Sequence, residues 1–108
     1  YYHCDKMGLL VWQDMPNGGA HVRWPLDGAE IKRSEEESAQ FEQEWSAIIR
    51  SLQNHPSIVA WVPFNEAWGQ FRTVHWTKHT RKLDPTRLII SASGGNDFGD
   101  YRPFSVVG

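Results

Sequence analysis

The sequence predicts an α/β fold built on a parallel sheet, and three observations lead there. Short apolar runs recur at Leu9-Leu10-Val11-Trp12, at residues 58–64, and at Leu88-Ile89-Ile90-Ser91-Ala92. Segments with helical spacing separate them. Each run ends in polar side chains: Gln13 and Asp14, then Asn65 and Glu66, then Ser93 and Asn96.

Taken in order, residues 1–7 read as the last turns of a helix, with Gly8 as the left-handed residue that often follows one. The run from Leu9 to Trp12 is continuous enough for a strand buried on both faces. Residues 15–33 hold two prolines and three glycines and read as a long loop. Ser34 and Glu37 form a capping box, and three acids in the first turn suit the positive end of a helix. Phe41, Trp45, Ile48, Ile49 and Leu52 then share one helical face. Asn54-His55-Pro56 ends that helix ahead of the second strand. A further helix is expected over residues 73–83, with Val74, Thr77, Thr80 and Leu83 inward and Lys78, Arg81 and Lys82 outward. Asp84-Pro85-Thr86 turns the chain into the third strand.

Strands joined through helices of this size require crossovers, which are right-handed and give parallel pairing. A doubly wound nucleotide-binding sheet would carry a glycine-rich turn after its first strand. Gln13-Asp14-Met15-Pro16 stands there instead, and no dinucleotide or Walker pattern occurs. Polar residues at every strand's carboxyl end are what the active face of a (β/α)₈ TIM barrel presents. The expectation is therefore a partial barrel of about three parallel strands with two intervening helices, occupying residues 1–108 as a single domain fragment. The chain starts in mid-element, which reads as an excerpt of something longer.

Bulk properties narrow the partners. A net charge of −2 and the absence of any basic stripe argue against nucleic acid as the main ligand. The apolar runs are far shorter than the ~20 residues of a membrane span. One cysteine, Cys4, excludes an intrachain disulfide framework and a multi-cysteine zinc site, and it reads as a small buried hydrophobe. His75 and His79 have chelating spacing but no third ligand in the pattern, so a solvated helix face is the preferred reading and no metal or cofactor is expected. The six tryptophans are many for 108 residues. Trp12, Trp45 and Trp61 are assigned to the core.

Glu66 is the residue that asks for an explanation. A carboxylate that closes an apolar strand is costly unless it is used. Among Trp61, Phe64 and Trp68 it would be partly desolvated, which raises a carboxyl toward the range of a general acid. The residues alone equally allow a helix-terminal glutamate in a structural ion pair. Asn65 can hold a substrate hydroxyl or cap a turn. Trp68 can stack on a sugar ring or pack under its loop, and Asp14 can face the same pocket or pair with an arginine.

The run His55-Pro56-Ser57-Ile58-Val59, then Trp61, then Phe64-Asn65-Glu66-Ala67-Trp68-Gly69 resembles the catalytic-acid region of glycoside hydrolase family 2, which holds β-galactosidases, β-glucuronidases and β-mannosidases. Residues 4–14 are similar to that family's passage into its third strand, and Leu83-Asp84-Pro85-Thr86-Arg87 to its approach to the fifth. The resemblance covers residues 2–95 and departs from the family pattern after Asp97. It implies retaining hydrolysis of a β-glycoside or oligosaccharide, with Glu66 as general acid/base, Asn65 beside the scissile bond, and Asp14 and Trp68 binding sugar. It places the second carboxylate at the end of the seventh strand, outside the matched segments. The chain by itself is therefore expected to be inactive, and to need the rest of a barrel or to self-associate. Two alternatives stay open at this point: a degenerate carbohydrate-binding barrel, and an unrelated α/β binding domain in which Glu66 only caps a helix.

Overall fold

The computed structural model describes residues 1–18, 30–65, 69–93 and 106–107. Helix α1 (Tyr2–Met7) ends at Gly8, whose φ of 72° is the left-handed conformation expected from sequence. Strand β1 (Val11–Asp14) follows, then α2 (Glu35–Leu52), β2 (Ile58–Val62), α3 (Thr73–Leu83), β3 (Leu88–Ile90) and the short β4 (Val106–Val107). The sheet order is β1-β2-β3-β4. The first three strands are parallel, and β4 pairs antiparallel with β3. The three parallel strands and the helices between them are the α/β portion of a (β/α)₈ barrel expected from sequence. The antiparallel β4 lies in the tail, where no motif announced it.

Local chemistry explains the long helix. Ser34 accepts from the Glu37 N–H at 3.1 Å, and the Glu37 carboxylate accepts from the Ser34 N–H at 2.8 Å, a complete capping box. These bonds lower the Glu37 carboxyl, the backbone bond first. The apolar face of α2 then packs Phe41, Trp45 and Ile49 against Ile58 and Trp61 of β2 and Trp76 of α3. Two of the three indole nitrogens in this core find an acceptor, while that of Trp76 is buried without one. Trp45 finds Thr80 Oγ1 at 2.8 Å, and Trp61 finds Asp84 Oδ2 at 2.8 Å.

Helix α3 spans the residues expected, but its face is turned. Thr73, Trp76, Thr77 and Thr80 are buried, whereas Val74 and Leu83 are only partly so. Large aromatic burial outweighs the β-branched Val74, because Phe41, Phe71 and Trp76 form one aromatic cluster with ring centroids 4.8–5.6 Å apart.

The register gives the sheet two unlike faces. Trp61 and Ile58 face the helices. Ala60, Val62 and Ile90 form a separate apolar cluster on the other face. Trp12 pairs with Ala60 and Ala60 with Leu88, so these three make one row across the sheet. Trp12 is 63% exposed and Leu88 47%. Trp12 is thus no core residue of this chain, contrary to expectation. The first strand also begins two positions later than its apolar run, leaving Leu10 78% exposed. Both departures share a cause: among the described residues β1 has a strand on one side only, and no helix covers that face.

Candidate functional site at the carboxyl ends of the strands

Asp14 closes β1 and is aligned with Val62, the last residue of β2. The ladder continues one step further, with the Met15 N–H donating to the Val62 carbonyl at 2.9 Å. The register sets Asp14 in the row of Val62, on the face away from the helices. It is half-buried, and that burial raises its carboxyl above the usual range. Gln13 braces the turn by donating to the Asp14 carbonyl at 2.8 Å, and Tyr1 Oη hydrogen-bonds to Gln13 in turn.

Asn65 stands three positions beyond Val62, half-buried, in an isolated bridge at the same end of the sheet. The neighbouring Phe64 carbonyl accepts from the Ser93 N–H at 2.9 Å, which joins the exits of β2 and β3. Asp14, Asn65 and Ser93 therefore emerge at one edge, as the strand-then-loop pattern predicted. Glu66 and Trp68 lie outside the described residues.

The chain past them is held firmly. Gly69 has φ 65° and is buried. A Cβ there would come within 2.7 Å of Arg33 Nη2, 2.9 Å of Asn17 Nδ2 and 3.0 Å of the Gly18 carbonyl, so only glycine fits. The two hydrogens of Arg33 Nη2 are shared among three acceptors, Asn17 Oδ1 at 2.8 Å, the Gly18 carbonyl at 2.7 Å and the Gly69 carbonyl at 3.1 Å. Its guanidinium lies 4.7 Å from the centroid of Phe71. Burial lowers the Arg33 pKa and the Glu37 carboxylate opposes that shift. The Ile31 N–H donates to the Gln70 carbonyl at 2.9 Å. The Glu30 carboxylate accepts from the Thr73 N–H at 2.7 Å and from the Thr73 hydroxyl. That bond serves as the missing cap of α3, whose own N-cap, Arg72, is held at φ 47° and offers no side-chain bond.

No local pattern pointed to Arg33, Glu30 or Gln70. Their contacts join loops up to 43 positions apart, which no local pattern encodes.

The opposite end of the sheet is structural. Asp5 accepts from His55 Nδ1 at 2.6 Å and from the Ser57 N–H at 2.9 Å, tying α1 to the entrance of β2. Bonds from Ser57 and His55 hold the Asp5 carboxyl at about 2. A cleft of about 510 Å³ also opens at that end, lined by Ile58, Arg87 and Leu88. It lies at the strand entrances, where barrel enzymes carry stability and not chemistry. His75 and His79 stack with centroids 6.3 Å apart, and His79 bonds Ser46 Oγ at 3.1 Å. His79 so belongs to the contact between α2 and α3.

Residues 1–101 match the family described as glycosyl hydrolases family 2, TIM barrel domain. Among curated proteins, a beta-mannosidase B of Emericella nidulans is 42% identical over 67 residues, covering 61% of this chain and 7% of the relative. Beta-mannosidase B of Aspergillus terreus is 39% identical over 92 residues, covering 84% and 10% respectively. That of Aspergillus fumigatus is 40% identical over 90 residues, covering 82% and 10%. The chain thus spans a tenth or less of the length of these relatives. A parallel α/β sheet, polar residues gathered at its carboxyl edge and a match over residues 1–101 agree: the chain belongs to the TIM-barrel domain of glycosyl hydrolase family 2.

Proposed function

We propose that this chain is the acid/base-bearing part of a retaining β-glycoside hydrolase, from the third to the fifth barrel strand, and that its parent acts on β-mannosides. The observation that carries the reading is the shared edge: Asp14 and Asn65 leave neighbouring parallel strands at the same end, and Glu66 follows Asn65 directly. The β-mannosidase relatives support the choice of sugar.

In this reading Glu66 donates a proton to the glycosidic oxygen as the bond to the sugar breaks. A second carboxylate about 5 Å away attacks the anomeric carbon from the other side. Glu66 then takes a proton from the water that releases the sugar. Asn65 hydrogen-bonds a sugar hydroxyl beside the scissile bond. Asp14, on the adjacent strand, accepts from hydroxyls at the side of the ring, and Trp68 offers the flat apolar face on which a ring stacks. The remaining strands supply the attacking carboxylate, so the rest of the barrel is this segment's first partner.

The test is to assay the full-length parent on aryl β-mannosides and follow the product by proton NMR. Turnover with the β-anomer appearing first is expected. Inverted product, or no turnover on any aryl β-glycoside, would contradict the reading.

A further inference from the structure

We propose that Arg33 is a positioning residue for the general acid: it fixes the loop that carries Glu66 by locking the far end of that loop to the loop after β1. The proposal rests on the reading of Glu66 as the acid. It starts from where the chain is held on either side of residues 66–68. On the near side, the Phe64 carbonyl is bonded by Ser93. On the far side, Phe71 packs among Phe41, Phe64 and Trp76, and the polar anchors to other segments among the described residues come from residues 30–33. Ile31 bonds the Gln70 carbonyl, Glu30 caps Thr73, and Arg33 bonds the Gly69 carbonyl while its guanidinium covers Phe71.

Arg33 alone among these reaches a third element. Its Nη2 also holds Asn17 and Gly18, four residues or fewer beyond Asp14. One guanidinium nitrogen therefore sets the spacing between the loop after the Asp14 strand and the loop after the Glu66 strand. The fit is close on the other side as well, since Gly69 has no room for a Cβ against Arg33 Nη2. What an ammonium group does not reproduce is the planar stack on Phe71 that holds this nitrogen at its acceptors. Arg33 is well placed to act on the acid through the backbone, and three peptide units separate Gly69 from Glu66.

A displaced acid fails selectively. Protonation matters where the leaving oxygen is basic and matters little where it is already a good leaving group. Misplacement by about 1 Å can cost on the order of 10²-fold in rate. The experiment uses the full-length parent with Arg33→Ala, Arg33→Lys, Gly69→Ala and Glu66→Gln, each assayed on an alkyl β-mannoside and on a dinitrophenyl β-mannoside. For all three loop variants we expect kcat on the alkyl substrate to fall about 10–10²-fold, with less than about threefold loss on the aryl substrate and little change in KM. Lysine should not rescue. The double variant Arg33→Lys/Gly69→Ala should be no worse than the poorer single one, because both act through one contact.

Equal losses on the two substrates, or wild-type kcat in Arg33→Lys, would overturn the proposal. If Arg33→Ala does not fold, Arg33→Lys keeps the charge and carries the test. Glu66→Gln separates the two claims. A leaving-group split in Glu66→Gln without one in the Arg33 variants sinks the positioning role alone. No split in Glu66→Gln sinks the acid assignment itself.

Discussion

The indole nitrogen of Trp61 donates to the carboxylate of Asp84 at 2.8 Å, inside the core. The same carboxylate receives Arg87 at 2.7 Å and the Thr86 N–H at 2.9 Å. Arg87 in turn donates to the carbonyls of Gln53, His55 and Ile58. One buried aspartate thus joins the end of α2, the entrance of β2 and the turn into β3. Burial alone would raise its carboxyl, but the bonds from Thr86, Trp61 and Arg87 outweigh burial and hold it well below the usual range.

Replacing Asp84 with Ala leaves a buried indole N–H without its acceptor and takes the carboxylate from Arg87, which keeps only its backbone carbonyls. Breaking a buried pair from one side costs about 3–5 kcal/mol. Asp84→Ala in the full-length parent should therefore lower barrel stability by about 3 kcal/mol in urea unfolding. A loss under about 1 kcal/mol would mean that the network is not coupled as described.

Asp5 predicts an acid-side effect. Its folded pKa of about 2 lies below the ordinary value near 3.9, so the unfolded chain binds the proton first. Its contribution is complete above about pH 4 and disappears as pH falls toward about 2. The stability difference between wild type and Asp5→Asn should shrink as pH falls through that window. A difference that grows on acidification would contradict the Asp5–His55–Ser57 arrangement.

The bare sheet face predicts how residues 1–108 behave alone. Leu10 and Trp12 are exposed at β1, whose outer edge lacks a neighbour among the described residues, and the exposed Leu88 lies in the same row as Trp12 on that face. Such an edge with apolar side chains favours association. Expressed alone, the chain should show no turnover of aryl β-mannosides and should scatter light as oligomers. Trp12→Ser with Leu10→Lys should shift it toward monomer. A clean, active monomer would refute both halves.

Much of this was legible beforehand because it is local. The Ser34–Glu37 box and the left-handed Gly8 each follow from chemistry within one turn, and the span of α3 from its spacing and the Asp84-Pro85 turn that ends it. Strand order and the common edge followed from apolar runs closed by polar residues. What escaped was non-local. Trp76 took the core position expected of Val74 because Phe41 and Phe71 meet there from other elements. Trp12 reads as core by composition, yet it has no described neighbour to cover it. Arg33 sits unremarkably before a helix cap, and its importance comes from Gly69, 36 positions away. At the candidate site, Asp14 and Asn65 stand at the predicted edge, whereas Glu66 and Trp68 fall outside the described residues.

Whether Glu66 is the general acid is decided by Glu66→Gln in the full-length parent. The measurement is kcat/KM across a series of β-mannosides of increasing leaving-group pKa. General-acid catalysis by Glu66 predicts a loss on the order of 10²–10⁴-fold for alkyl leaving groups, where protonation must assist departure. It predicts less than about tenfold for dinitrophenyl, which departs unaided. Losses that are equal across the series would contradict it and would assign the proton to another group.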